Sequence, residues 1–230
     1  MNGRNRFRSI VLVAIIWVGS MASSGLAQVP AEKKPFTLTI AGEIDPDLAP
    51  VVGQLTTLFY QSYPKLVKRF EHPKKPAPRH INLAFARNIK VPAYYSNATI
   101  TVSVDWLQKH PDDLGVLTHE LTHAVQAYPN SDPGWLTEGL ADYARHLYGP
   151  KEQPGWALPT QLTMKQSYKD SYRVTGRFLL WLDAKHPGVV DKLHRRMQDR
   201  EFAIEDFQTM TGTAIDDLWD ESVRELKKKP

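Results

Sequence analysis

Residues 115–128 read GVLTHELTHAVQAY, and this stretch decides how the rest of the chain is interpreted. His119 and His123 are four residues apart, so on an α-helix both imidazoles share one face and can bind one metal ion. Glu120 then lies beside the open coordination position, where a carboxylate can accept a proton from water. The spacing therefore predicts a helix that carries a zinc site and a neighbouring base.

The ends of this helix are also marked in the sequence. Asp112 or Asp113 is positioned to cap the first turn, and Pro129 prevents the helix from continuing. Some zinc sites take a third His six residues after the second, but Pro129 occupies that position, which excludes the arrangement. Without another ligand, two histidines on a helix are also compatible with solvated or core side chains.

A third ligand is available in the next predicted helix, where residues 135–143 read WLTEGLADY. Glu138 supplies a carboxylate, and two His with one Glu form an open zinc site. Asp142 lies one turn later on the same face and is expected to orient a ligating His, with His119 the first candidate. The alternative for both acids is an ordinary solvated helix face. Gly139 either allows a close approach of the two metal-bearing helices or is incidental at that position.

Four segments together resemble a known family. They occur in order between residues 100 and 226 and read GVLTHELTHAVQ, PGWLTEGLADYAR, DSYRVTGRFLLWLD and FQTMTGTAIDDLWDE. The chain resembles the basic secretory protein family of plants, fungi and bacteria, regarded as gluzincin-type zinc metallopeptidases. The resemblance implies that His119, His123 and Glu138 bind zinc and that Glu120 is catalytic. Gly176 stands where the family usually has Ala.

The first residues predict an export signal. Three arginines precede an apolar run at residues 10–18, and Gly25 and Ala27 provide the small residues of a cleavage site. We predict that residues 1–27 are a signal peptide and that residues 28–230 form one zinc metallopeptidase-like domain, secreted or periplasmic. The apolar run is short for a bilayer span, so we expect no stable membrane anchor after cleavage.

Charge and cysteine content exclude several classes of partner. The chain has 29 basic and 25 acidic residues, but the predicted signal contains three of the basic ones and no acidic ones, so the mature chain has a formal charge of about +1 (29 − 3 − 25). Because the basic runs at residues 74–75 and 227–229 are short, we expect no nucleic-acid partner. The chain has no Cys, which excludes disulfides and a lipid-modified cysteine.

The periodicity of apolar residues predicts an α+β fold. The predicted strands are residues 36–40, 80–87 and 98–104. A helix is predicted at residues 45–70, with a break or kink at Pro64. The later predicted helices are residues 167–185, 188–199, 201–210 and 214–227. The expected architecture is zincin-like: a small mixed β-sheet with a helix in the N-terminal half, the HExxH helix, and a helical C-terminal half, with the metal cleft between the halves.

Two segments are expected close to the cleft. The strand at residues 98–104 precedes the metal helix, and it is either an edge strand that pairs with an extended substrate or an internal strand without that role. The Gly/Pro-rich residues 149–159 predict a loop, and Trp156 within it is interpreted either as a packing residue, the favoured alternative, or as part of the lining of a substrate pocket.

A peptidase also needs a hydrogen-bond donor for the developing oxyanion. Tyr172 is the candidate, because a phenol donates while remaining neutral at pH 7. Tyr168 and His146 are the alternatives, and for each aromatic the competing interpretation is a core residue with a bonded polar tip.

The sequence thus predicts zinc-dependent hydrolysis of a peptide or protein substrate, with an endopeptidase favoured because no motif for binding a substrate amino terminus is recognisable. Two alternatives remain: a zinc amidase or peptidase acting on cell-wall peptides, and a non-catalytic zinc-binding envelope or defence protein. The presence of Glu120 argues against the non-catalytic protein, because only turnover requires that side chain.

Overall fold

The computed structural model describes residues 35–42 and 44–227. The predicted signal peptide, residues 1–27, lies outside the described residues, so export and the domain boundary at residue 28 stay predictions. The described residues form a four-stranded mixed sheet and eight α-helices, which confirms the predicted α+β class. Among the helices of this part of the chain, none has the length and apolar character needed to cross a membrane.

The sheet contains one strand more than the sequence predicts. Its strands are β1 (Thr37–Ala41), β2 (His80–Ala86), β3 (Ala93–Ser96) and β4 (Thr99–Ser103). They lie in the order β1-β2-β4-β3, with β2 parallel to both β1 and β4, and β3 antiparallel to β4. The three predicted strands correspond to β1, β2 and β4 and are confirmed. β3 is the additional strand.

β3, and not β4, forms the open edge of the sheet beside the metal helix. β4 lies between β2 and β3, so the suggestion that residues 98–104 form an edge strand is wrong, and the internal alternative holds. β3 is the edge. Asn97 and Ala98 form the two-residue turn between β3 and β4, with φ values of 48° and 57°. Two successive positive φ values are typical of the type I′ turn, whose twist matches that of the strands.

A 3₁₀ turn (Pro46–Leu48) leads into α1 (Ala49–Phe70), which continues through Pro64 without a break. The predicted break is therefore wrong. A proline inside a helix costs about 3 kcal/mol. Tyr63, Leu66 and Phe70 are fully buried on the same helix, and each buried side chain of this size stabilises the fold by about 1.5–3 kcal/mol, which offsets the cost.

The remaining helices follow the sheet and form the predicted helical C-terminal half. They are α2 (Val104–Lys109), α3 (Gly115–Gln126), α4 (Gly134–Tyr148), α5 (Tyr172–Lys185), α6 (Val189–Asp199), α7 (Asp206–Thr211) and α8 (Ile215–Lys227). The helix predicted at residues 167–185 begins late, because Tyr168–Asp170 forms a separate 3₁₀ turn. The helix predicted at residues 201–210 forms only in its second half, as α7.

Helix α4 packs closely on α5 at a glycine. A Cβ added to Gly139 would lie 2.2 Å from Cγ2 of Thr175 and 2.4 Å from its Cβ, so no larger residue fits without movement. The close approach expected at Gly139 exists, but its partner is α5 and not the metal helix α3, so the predicted partner is wrong. The contact fixes α4, which carries Glu138, against the start of α5, which carries Tyr172.

Candidate metal centre

Helix α3 holds the first part of the candidate site in the interior. His119 and Glu120 are only 8% and 6% exposed. The helix ends at Gln126, because Ala127 adopts the left-handed conformation with φ 46° and ψ 35°, two residues before Pro129. The HExxH motif therefore lies in the middle of a buried helix, where its side chains have few alternative positions.

The start of α3 is held differently from the prediction. No side chain caps its first turn, so the predicted cap at Asp112 or Asp113 is wrong. Asp113 instead accepts hydrogen bonds from Nη2 of Arg145 and from Nε1 of Trp106, the latter at 2.9 Å. Its carboxylate thus ties α3 to α4 and α2 and is not available to the helix amides.

Three candidate metal ligands converge between α3 and α4. Nε2 of His119 lies 3.1 Å from Oε2 of Glu138, and Nε2 of His123 lies 3.7 Å from the same oxygen. The two rings are nearly perpendicular, with centroids 4.8 Å apart. Ligand atoms about 2.0–2.1 Å from a tetrahedral zinc ion are roughly 3.3 Å from one another. The two separations from Glu138 bracket this value, so each histidine nitrogen and the Glu138 oxygen are spaced as two ligands of one zinc ion would be.

A second carboxylate flanks the same histidines. Candidate ligand atoms of His119, Glu120 and His123 lie within 4.8 Å of one another. Glu138 is the other candidate for a third ligand, because one of its oxygens lies within 3.7 Å of both ring nitrogens.

Hydrogen bonds to the far side of each ring select the nitrogen that faces the metal position. Nδ1 of His119 donates to Oδ1 of Asp142 at 2.8 Å, which leaves Nε2 for a metal. Nδ1 of His123 is 2.7 Å from Oε1 of Gln126, whose amide nitrogen donates to the carbonyl of Thr137. Oε1 of Gln126 is therefore the acceptor, so His123 also presents Nε2. Such partners fix the tautomer and the orientation of a ligating His.

The pKa values follow from burial and from these contacts. Burial opposes the charged form of His119, but hydrogen bonds to Asp142 and Glu138 raise its pKa to about 10. Burial opposes the charged form of Glu138 as well, yet hydrogen bonds from His119 and His123 lower its pKa to about 2. Burial raises the pKa of Glu120, and the two histidines act in the opposite direction. These contacts thus favour the ionised form of the Glu138 carboxylate, whereas burial of Glu120 favours its protonated form.

Tyr172 lies over the candidate centre. Its ring is stacked on that of His119 with centroids 6.1 Å apart, and it is 54% exposed. Ser171 has φ 68° and ψ −178°, a conformation almost restricted to glycine, and Tyr172 has φ 45°. Strained residues of this kind concentrate at functional sites, and here they direct Tyr172 toward the cleft. Burial, together with nearby carboxylates, raises the pKa of its phenol, which stays protonated.

The alternative donors lie elsewhere. Tyr168 is buried and packs edge-on against Trp135 with ring centroids 5.2 Å apart. His146 is exposed on α4 and does not line the cleft around the centre. Of the three candidate donors, only Tyr172 is close to His119.

The centre opens into a cleft of about 900 Å³. The edge strand β3 forms part of its lining, together with α3, α4, the loop at residues 149–159 and the first turn of α5. The expectation that this loop lies near the cleft is confirmed. Trp156 lines the cleft and is half-buried, which agrees with the pocket-lining alternative rather than with the favoured role in packing.

A match to a protein family agrees with this geometry. The BSP family, described as a peptidase of plants and bacteria, matches residues 34–222. The chain belongs to this family. No curated protein and no solved structure matches the chain. The BSP match begins three residues before β1 and extends into α8, and so includes every element that lines the cleft.

The candidate metal centre and its cleft include two residues that the sequence did not predict. Gln126 is one of them, although it stands three residues after His123 in the segment HELTHAVQ, which is part of the resemblance to the family. Arg145 is another such residue. The sequence does not indicate it, because an arginine on a helix usually lies on the solvated face. It is 5% exposed and lines the cleft.

Proposed function

We propose that this BSP-family protein is a zinc-dependent peptidase in which His119, His123 and Glu138 bind the metal and Glu120 acts as general base. The observation that carries the proposal is the convergence of Nε2 of both histidines on one oxygen of Glu138, at 3.1 and 3.7 Å. Two neutral nitrogens and one carboxylate form the open ligand set of catalytic zinc sites.

The surroundings support zinc as the group that these residues hold. Asp142 and Gln126 accept hydrogen bonds from Nδ1 of the two histidines, at 2.8 and 2.7 Å, so Nε2 is the nitrogen of each ring that would bind the metal. Glu138 remains ionised because its pKa lies well below neutrality. When bound, zinc lowers the pKa of a water molecule and polarises a carbonyl oxygen.

Glu120 performs the proton transfers in this proposal. Its carboxylate accepts a proton from the water that attacks the scissile carbonyl and delivers it to the departing amine nitrogen. Burial raises the pKa of Glu120, and a raised pKa suits a carboxylate that must both take and release a proton. The backbone amide of Tyr95 in β3 hydrogen-bonds the carboxylate and orients it.

Tyr172 is the proposed donor to the developing oxyanion. Its ring lies 6.1 Å from that of His119, and its phenol retains its proton because burial raises its pKa. A preorganised donor acts most strongly when it is aimed at the oxygen on which negative charge develops.

The proposed substrate is a peptide or protein bound in extended form. The cleft runs beside β3, an edge strand, and a peptide can gain main-chain hydrogen bonds by pairing with an open sheet edge. Export to the cell surroundings, after removal of residues 1–27, is part of the same proposal. An exported enzyme would meet either extracellular proteins or cell-wall peptides.

The ligand assignment is tested with a pair of matched variants. Glu138→Gln and Glu120→Gln each remove one carboxylate next to the same histidines. We expect Glu138→Gln to lose zinc and Glu120→Gln to retain one equivalent, as measured by zinc content after dialysis. Equal retention by both variants would contradict the assignment of Glu138. Removal of zinc by a chelator should abolish peptide hydrolysis by the unsubstituted protein, and one equivalent of zinc should restore it.

A further inference from the structure

One wall of the cleft consists of four side chains in continuous contact, here called the tryptophan wall: Trp106, Asp113, Arg145 and Trp156. Nε1 of Trp106 donates to Oδ2 of Asp113 at 2.9 Å, and Nη2 of Arg145 donates to Oδ1 of the same carboxylate. The guanidinium carbon of Arg145 lies 3.9 Å from the ring centroid of Trp156. All four side chains line the cleft.

The charged members of the wall are already engaged with one another. Both oxygens of Asp113 accept hydrogen bonds, and Nε of Arg145 donates to Oε1 of Gln153 at 2.8 Å. The side chains of Arg145 and Asp113 are only 5% and 11% exposed. A ligand that contacts this wall therefore meets the two half-buried indole rings rather than free charges, whereas the exposed cations of the cleft lining, Lys109 and Arg173, are not part of the wall. Indole surface favours large apolar side chains.

The wall is fixed to the helices of the metal centre. Arg145 lies on α4, two turns after Glu138, and Asp113 lies two residues before the start of α3. At Gly115, an added Cβ would lie 2.0 Å from Oε1 of Gln153 and 2.7 Å from Nε of Arg145, so the loop is closely packed on the start of α3. The wall is consequently held against both helices that carry the proposed metal ligands.

From this arrangement we propose that the tryptophan wall binds a large apolar side chain of the substrate, such as Phe or Leu, and thereby sets the peptide preference of the site. The inference rests on the proposed function, because it places that side chain beside the bond to be cleaved. Trp156 contacts the side chain directly. Arg145 is a positioning residue, which supports the Trp156 ring and holds the loop through Gln153.

The test measures binding separately from turnover. Zinc-loaded Glu120→Gln protein is titrated calorimetrically with blocked tetrapeptides that carry Phe, Leu, Ala or Glu at each position in turn. We expect Phe and Leu at one position to strengthen binding at least about tenfold over Ala. Adding Trp156→Ala should remove this preference, whereas Trp156→Phe should keep most of it. Unchanged zinc content serves as the control for folding.

The positioning role of Arg145 is tested through its partner in the loop. Gln153→Ala should weaken binding of the Phe peptide severalfold and leave binding of the Ala peptide unchanged. Glu152→Ala, at an exposed position in the same loop, is the matched control and should change neither affinity.

Several results would overturn the inference: equal affinity for Phe and Ala peptides, a preference that survives Trp156→Ala, or tightest binding of the Glu peptide. The last outcome would indicate instead that Arg173, an exposed cation in the cleft lining, determines the preference. If the Phe peptide binds through Trp156 but the unsubstituted zinc-loaded protein cleaves none of the peptides, the proposed function fails while the assignment of the wall stands.

Discussion

Oδ1 of Asp142 lies 2.8 Å from Nδ1 of His119, on the side of the ring opposite Glu138. Asp142 is 3% exposed, so water cannot replace this hydrogen bond. The buried carboxylate holds the ring in one orientation and increases the basicity of Nε2. Asp142 therefore contacts one nitrogen of the His119 ring, and the other nitrogen faces Glu138. Metal-binding histidines are commonly supported by a carboxylate in this way.

Replacing that carboxylate by an amide tests its contribution. Asp142→Asn keeps the size and one acceptor oxygen but removes the charge, so we expect zinc affinity to fall about 10- to 100-fold. The zinc dissociation constant is measured by competition with a chromogenic chelator. Asp217→Asn, at an exposed position on α8, is the control. Equal zinc affinity in the two variants would contradict the role assigned to Asp142.

Tyr172→Phe tests the oxyanion donor. The substitution keeps the ring that stacks on His119 and removes only the hydroxyl group. Loss of one such donor lowers kcat about 10²–10³-fold. We expect KM and zinc content to change little, because the donor acts mainly in the transition state. Full activity of this variant on the peptides cleaved by the unsubstituted protein would exclude Tyr172 from catalysis.

Gly139→Ala tests the packing of α4 on α5. The added Cβ would overlap Thr175, and overpacking of this kind typically costs about 1–3 kcal/mol. We therefore expect a lower free energy of unfolding in urea. Gly53→Ala in α1 is the matched control: nothing lies within 4 Å of its added Cβ, so it should gain up to about 1 kcal/mol from helix propensity. Similar effects at both positions would contradict the close contact.

His194 provides a prediction for pH dependence. Its Nε2 donates to the carbonyl of Phe70 at 2.7 Å, and its Nδ1 accepts from the hydroxyl of Tyr128 at 2.8 Å. Burial lowers the pKa of His194 from 6.5 to about 4, and nearby cations, including Arg195 and Arg69, act in the same direction, although the bond to Phe70 opposes the shift.

Between these two pKa values the unfolded chain binds the proton and the folded chain does not. The contribution of His194 to the free energy of unfolding should therefore decrease by about 3 kcal/mol as the pH falls from about 6.5 to about 4. His194→Gln can keep both hydrogen bonds and cannot titrate. Urea unfolding at pH 7 and pH 4.5 should show a smaller loss of stability for this variant than for the unsubstituted protein, and equal losses would contradict the assignment.

The sequence predicts the parts of the site that depend on local periodicity. His119 and His123 share a face because they lie four apart on a helix, and Glu138 and Asp142 share a face for the same reason. The alternation of apolar residues likewise locates β1, β2 and β4, since one residue in two points to each face of a strand.

The parts that the sequence does not predict depend on distant contacts or on unusual backbone conformations. β3 follows from a turn in which Ala98 has a positive φ, a conformation that alanine rarely adopts. The late start of α5 results from Ser171 in a conformation nearly restricted to glycine. Arg145 is buried because Asp113, far away in sequence, accepts its hydrogen bond, and no local pattern signals that partnership.

The most direct test of the central claim compares unsubstituted residues 28–230, the predicted mature chain, with the Glu120→Gln variant of the same residues on a diverse peptide mixture. Both proteins are loaded with zinc, and products are identified by mass spectrometry. We expect equal zinc content in the two proteins and hydrolysis of peptide bonds by the unsubstituted protein, with the rate reduced at least about a hundredfold in the variant. Zinc bound to both proteins with no cleavage by either, or with equal cleavage by both, would contradict a peptidase that uses Glu120 as its base.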